Sequence, residues 1–220
     1  DWRALEELKA ILGQYGYAGQ IGQNPVPPKG GMFQVDHFQV IDNLPAPMNI
    51  LNTVRYVDKA STREKGNLLR AGVGARTAAV KMSLLRSGKY VVHDCKMGRW
   101  ATDEREAILR ELAEADGRDV KYYVEQEPGS GGKDSALATI KNLDGFSVEA
   151  DRPVGNKVYR ADPWSVQVNN GSVMLLRGDW NHDYIEEHRF FPFGITKDQV
   201  DASSGAYSKL NRVKFVRKLN

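Results

Sequence analysis

Cysteine is nearly absent from this chain. Cys95 is the only one in 220 residues, which excludes an internal disulfide and any multi-cysteine zinc or iron–sulfur site. Histidine is scarce and dispersed. His37, His93, His182 and His188 stand too far apart in sequence to suggest a zinc cluster. No apolar run approaches the roughly 20 residues that a membrane-spanning helix requires, and the opening DWRALEELKAILG has no apolar stretch of the signal-peptide kind. No segment fits the Walker A phosphate loop. The nearest, GSGGKDS at 129–135, has Glu127 where the pattern needs its first glycine and Asp134 where it needs Ser or Thr. Redox, thiolate-metal and membrane-spanning roles are therefore set aside, an intracellular protein is expected, and ATPase activity is not.

What is present is a globular composition, 41% hydrophobic and 27% charged, with a lopsided charge map. Arg55 to Arg99 carries eleven Lys/Arg against Asp58, Glu64 and Asp94. Ala101 to Asp151 carries thirteen acids against six bases, and Lys209 to Lys218 adds five bases and no acid. Basic segments of this kind suit a polyanion, although a solvated mosaic gives the same arithmetic.

Residues 2–12 read as a helix through Leu5, Leu8 and Leu12, ended by Gly13 and Gly16. From Gly13 to Pro47, prolines at 25, 27, 28, 45 and 47 and glycines at 13, 16, 19, 22, 30 and 31 interrupt every apolar run. This predicts a linker or extended arm outside the core. The expected division is therefore 1–48 and 49–220. Strand patterns then fall at 52–58, 77–85 and 90–97, the last two joined as a hairpin through Arg86-Ser87-Gly88-Lys89. A helix follows over 102–116, capped by Thr102 or Asp103 and stopped by Gly117. Next come a strand at 120–125, a helix from about Asp134 to Leu143, and a strand at 146–150. A helix over 158–169 with Pro163 in its first turn, a strand at 172–177 and helices at 182–189 and 199–210 complete the chain. This order predicts an α/β fold: a mixed sheet, antiparallel over its first three strands and parallel after, flanked by helices.

Acids stand at strand ends, where open α/β sheets build sites. Asp58 closes VRYVD and Glu125 closes KYYVE, while Asp198 and Asp201 lie at the start of the last long helix. Each alone is equally a solvated carboxylate or, for Asp198, a helix cap. Together they form an oxygen-only donor set suited to magnesium or manganese. Without a cation such carboxylates would repel and raise one another's pKa.

VRYVDKAST, VEQEPGSGGK, GNKVYRADP, RGDWNHDYIEE and FPFGITKDQVDASSGA occur in this order. The series resembles the C-terminal nuclease domain of phage large terminase subunits, and AGQIGQNPVPPKGG resembles the segment that joins their ATPase to the nuclease. The resemblance runs from about Gly13 to Tyr207 and implies a ribonuclease H-like fold. It implies a metal-dependent endodeoxyribonuclease cutting double-stranded viral DNA during genome packaging in the host cytoplasm. Asp58, Glu125 and Asp198 match its acidic triad, Asp201 and Asp183 are candidates for the second metal, and Lys157 and Arg160 are the bases its motif places near the site. Their expected role is a phosphate contact or a clamp on an acid; an ordinary helix-surface pair is the plain alternative. Lys197 departs from the family pattern beside Asp198. Other partners so implied are the ATPase domain of the same full-length chain, the portal and the small terminase subunit. Two rival functions remain: another ribonuclease H-like nuclease, of junction-resolvase or transposase type, and a non-enzymatic DNA-docking module.

The chemistry asks for such a site. A phosphodiester is inert, and two Mg²⁺ or Mn²⁺ ions about 3.5–4 Å apart both activate a water and relieve charge on the leaving oxygen. Asp58 is the expected bridge between the ions. DNA contact is expected to be to phosphates, along a basic track that includes Arg70 and Arg76.

Overall fold

The computed structural model describes residues 31–59 and 76–217. The expected helix at 2–12, most of the proline- and glycine-rich segment, and Arg70 lie outside the described residues.

Seven strands form one sheet. They are β1 (Gln39–Ile41), β2 (Ile50–Asp58), β3 (Thr77–Leu85), β4 (Tyr90–Gly98), β5 (Lys121–Glu125), β6 (Val148–Asp151) and β7 (Val173–Leu176), in the spatial order β1-β7-β4-β3-β2-β5-β6. β2–β3 and β3–β4 pair antiparallel; β2–β5, β5–β6, β4–β7 and β1–β7 pair parallel. The helices are α1 (Thr102–Asp116), α2 (Ser130–Asn142), α3 (Lys157–Asn169), α4 (Asn181–Phe190) and α5 (Asp198–Arg217). This is the expected mixed sheet, with its antiparallel hairpins at the centre and parallel strands on both flanks.

Alternation along β2 sorts the core into two. Val54 and Tyr56 face a large cluster with Trp164 and Val168 of α3, Tyr184 of α4 and Val200, Ala202 and Ala206 of α5. Val57 faces the other way, onto Leu109 and Ala113 of α1, Tyr122 and Leu143. Consecutive strand residues point to opposite faces, so one strand serves both layers. Gly88 closes the β3–β4 hairpin at φ 86°, a left-handed conformation that a side chain would oppose.

Four local expectations are corrected. Residues 31–47 are not an arm outside the core: Phe33, Val35 and Phe38 are buried in the large cluster, and β1 pairs with β7. Their apolar side chains outweigh the surrounding Pro/Gly punctuation. Ala101, rather than Thr102 or Asp103, is the N-cap of α1, and no side chain caps it. α2 starts at Ser130, so Gly131 and Gly132 belong to its first turn. A Cβ on Gly132 would stand 2.1 Å from the carbonyl oxygen of Glu127, so this glycine permits the tight return from β5 into the helix. Finally, Asn156 caps α3 by accepting from the Tyr159 N–H at 2.9 Å, and the helix therefore begins early enough to leave Pro163 in its interior. Among the described residues no helix is long and apolar enough to cross a membrane.

Candidate active site at the carboxyl ends of the central strands

The parallel register lines up acids in one row. Val57 of β2 pairs with Val124 of β5, so Asp58 and Glu125 each lie one step further on, and Glu125 pairs with Asp151 of β6. Asp58 lies two residues past Tyr56 and so on the same face, the one covered by α3 and α5. Helix α5 begins over that end of the sheet and brings Asp198 and Asp201 in its first turn.

The row is crowded with negative charge. Asp58 is 8% exposed and Asp201 2%. Burial raises the Asp58 carboxyl well above its ordinary range, and Glu125, Asp201 and Asp198 push in the same direction while Lys157 opposes. Glu125 is also raised, chiefly by burial, with Asp201 adding to it against Arg160 and Lys157. Asp201 follows the same pattern: burial raises it, Lys157 and Arg160 oppose, and Asp198 adds to it. Each acid thus feels the others, which is the electrostatic signature of convergence.

Three cations hold the cluster together. The Lys157 ammonium ion-pairs with Oδ2 of Asp201. Arg160 donates to Oε1 of Glu125 at 3.4 Å and to Oδ1 of Asp201 at 3.2 Å. Lys157 and Arg160 are thus both ion-paired with acids of the row. Arg76 is not an outward phosphate contact. Its guanidinium donates to Oδ2 of Asp198 at 3.3 Å and ion-pairs with Glu187, and only 13% of its side chain is exposed. Arg55 and Lys59, counted in the basic segment, are also buried, so the charge arithmetic overstated the free basic surface. Lys89 and Lys96 of that segment are exposed.

Asp183 is exposed in the first turn of α4, and only its backbone carbonyl contributes here, accepting from Nε2 of Gln199 at 3.2 Å. One turn on, Glu187 is buried. Its Oε1 accepts from the backbone N–H groups of Gln199 at 2.6 Å and Val200 at 3.2 Å, capping the start of α5 from a neighbouring helix. Glu187 thereby fixes the turn that carries Asp198 and Asp201. It lies in the RGDWNHDYIEE block, at i+4 from Asp183, so helical spacing was the available signal.

Three further residues support the row. Tyr56 donates its hydroxyl to Oδ2 of Asp151 at 2.9 Å and lies 3.5 Å from Oε2 of Glu125. Asp151 is in turn ion-paired with Lys209 of α5. Lys59, next to Asp58, donates to the Ser135 carbonyl at 2.7 Å, the Ser135 hydroxyl at 2.8 Å and the Thr139 hydroxyl at 3.0 Å, pinning the end of β2 to α2. Burial, with Arg105 adding to it, lowers its pKa to about 8. Tyr56, Asp151 and Arg160 also line a cavity of about 580 Å³ between α3 and α5.

Among the described residues no three His, Cys, Asp or Glu side chains stand as a ready-made metal group. The donor chemistry nevertheless fits a hard divalent cation: every acid here offers only oxygen, and their mutual repulsion calls for positive charge. Lys157 pairs with Asp201, and Arg160 bridges Glu125 and Asp201.

No protein-family model and no curated protein sequence matches the chain. Solved structures do. The large terminase nuclease of thermophilic phage G20c with bound zinc superposes with a TM-score of 0.51 at 16% identity, covering 81% of this chain and 98% of that one. The magnesium-bound structure of the same nuclease gives 0.50 at 14%, covering 83% and 99%. The human cytomegalovirus terminase nuclease domain gives 0.51 at 12%, covering 76% and 86%. The chain has the large terminase nuclease fold. At such identities the likeness concerns the path of the backbone, and the site's chemistry rests on its own residues.

Proposed function

We propose that this chain is a metal-dependent endodeoxyribonuclease that cuts double-stranded viral DNA during genome packaging. The observation that carries this reading is the convergence of Asp58, Glu125, Asp198 and Asp201 from two strand ends and one helix start, with acids outnumbering the cations that hold them. Asp58, Glu125 and Asp198 would hold two Mg²⁺ or Mn²⁺ ions, with Asp201 in reserve for the second. Bound there, the metals would supply an activated water and charge relief at the leaving oxygen.

The protein's own residues do the rest. Burial of Asp58 and Glu125 makes their negative charge costly unless a cation is present, which favours loading. Arg76 and Glu187 fix the first turn of α5 so that Asp198 is presented from a rigid element. Tyr56 orients Asp151 and approaches Glu125. The fold likeness to terminase nucleases and the ordered motif blocks support the packaging context, in which the ATPase domain, portal and small subunit are the partners.

The test is supercoiled plasmid with EDTA, Mg²⁺ or Mn²⁺, each with and without ATP. Metal-dependent, ATP-independent nicking and linearisation are expected. Cleavage that survives EDTA overturns the mechanism. Faster cutting of a four-way junction than of linear duplex moves the protein to the resolvases. DNA affinity should fall steeply with salt, because phosphates are the groups read.

A further inference from the structure

The acid row is held by a lysine whose position is informative. The Lys157 ammonium ion-pairs with Asp201, a side chain that is itself fully buried, while about half of the lysine side chain, 48%, remains exposed. The Lys157 ammonium is the group that faces Oδ2 of Asp201, while Arg160 takes Oδ1. That oxygen is neutralised by a compact charge on a flexible four-carbon stem. The field at this ammonium comes from three acids at once. Burial alone would lower the Lys157 pKa, yet Asp201, Asp58 and Asp198 raise it. The ammonium therefore sits where the potentials of acids from β2 and α5 overlap.

Arg160 differs. Its guanidinium spans Glu125 and Asp201 in a fixed fork, and it is 18% exposed. It braces the two elements against each other. Lys157, at the first position of α3, has solvent along its stem and an open way out.

We propose that Lys157 is an exchangeable counter-ion: its ammonium stands in for a divalent cation within the acid cluster and leaves when a metal loads, freeing Asp201 to serve as an additional ligand. This rests on the metal-site reading above. It accounts for acids that converge without forming a ready-made metal group. It also makes loading a competition, so that the lysine sets the metal concentration at which the site fills.

The experiment measures Mn²⁺ binding to the full chain by the loss of the free-ion EPR signal, with no DNA and no turnover. Wild type, Lys157→Gln, Lys157→Arg and Asp58→Asn are compared, with melting temperatures in EDTA and in excess Mn²⁺. Removing a competing charge a few ångströms from the ligands should tighten Mn²⁺ binding by about tenfold in Lys157→Gln. The same variant should melt lower than wild type in EDTA, and the gap should close in Mn²⁺. Lys157→Arg, which keeps the charge, should bind no tighter than wild type and stands in should Lys157→Gln fail to fold. Weaker or unchanged Mn²⁺ binding in Lys157→Gln, or clearly tighter binding in Lys157→Arg, overturns the proposal, since a merely structural lysine would lose affinity when removed. Asp58→Asn separates the two levels: if it binds Mn²⁺ as wild type does, the metal site itself is misplaced, whatever Lys157 does.

Discussion

Two polar clusters are threaded through the same strand, and they differ in charge balance. On the α1 side of β2, Arg55 is 1% exposed and is gripped by two carboxylates: Asp94 at 2.6 and 2.9 Å and Asp116 at 2.6 and 3.1 Å. Lys81 adds a second cation to Asp116 at 2.9 Å, and Tyr122 donates to Asp116 at 2.6 Å. Charges cancel, and the Asp116 pKa falls to about 2 although burial pushes it up, because the Arg55 hydrogen bonds and charge win, with Tyr122 and Lys81 adding to them. Three residues along the strand, on the other face, Asp58 is raised instead: burial pushes it up, and its neighbours are mainly acids that add to the effect. A balanced buried network ties the end of α1 to the sheet; an unbalanced one holds a site that wants a further cation. Both contain buried charge, and the sign of the carboxylate shift tells them apart.

The strongest way to sharpen this comparison is Asp58→Asn. Cleavage should drop below detection while thermal stability holds or rises, because a repelled buried carboxylate is replaced by a neutral amide of the same shape. Plasmid assay and melting curve together check it; retained cutting by a folded variant would remove Asp58 from the site.

Next is Arg55→Ala, which should cost about 3–5 kcal/mol of stability by removing the buried guanidinium between Asp94 and Asp116 and leaving Lys81 as the cation against both. Urea denaturation measures this. A loss below about 1 kcal/mol would mean that the network is not what secures α1.

A smaller effect is expected from Gly205→Ala. Its Cβ would stand 2.4–2.5 Å from ring atoms of Tyr56, an overpacking worth about 1–3 kcal/mol. Displacing Tyr56 should also slow cleavage, by disturbing its contacts with Asp151 and Glu125. Unaltered stability and rate would show that the helix can shift freely here.

The mildest test is acid. Burial lowers the His93 pKa to about 4, with Lys81 and Arg55 adding to it, and burial lowers that of His188 to about 3. In the unfolded chain both take up protons near pH 6.5. Their neutral burial is thus without cost above about pH 6.5, and stability should decline as pH falls through the window toward 4 and then 3. The raised carboxyls of Asp58, Glu125 and Asp201 act in the opposite sense as pH falls, so the histidine effect is read as the fall in melting temperature from pH 7.5 to 5.5 compared between the protein and its His93→Gln variant; an equal fall in both would contradict it.

By itself the sequence determined the order and type of the elements from β2 onward and the carboxyl ends of β2 and β5. Val54, Tyr56 and Val57 alternate as a two-faced strand must, Gly88 and Gly117 stop their elements with positive φ, and short-range periodicity needs no partner to be read. Asp58 and Glu125 could be picked out for the same reason, as carboxylates at strand ends. Packing decided what local pattern does not contain. Phe33, Val35 and Phe38 look like fragments in a Pro/Gly-rich run until a sheet edge and α4 are there to bury them. Arg55, Lys59 and Arg76 count as free basic charge until Asp94 and Asp116, α2, and Glu187 with Asp198 enclose them. Charge in sequence is a sum, whereas charge in a structure is a set of distances, and only the tertiary fold sets those distances. For the same reason the pairing of Lys157 and Arg160 with acids from β5 and α5, up to 44 residues away in the case of Lys157 and Asp201, had to wait for the structure.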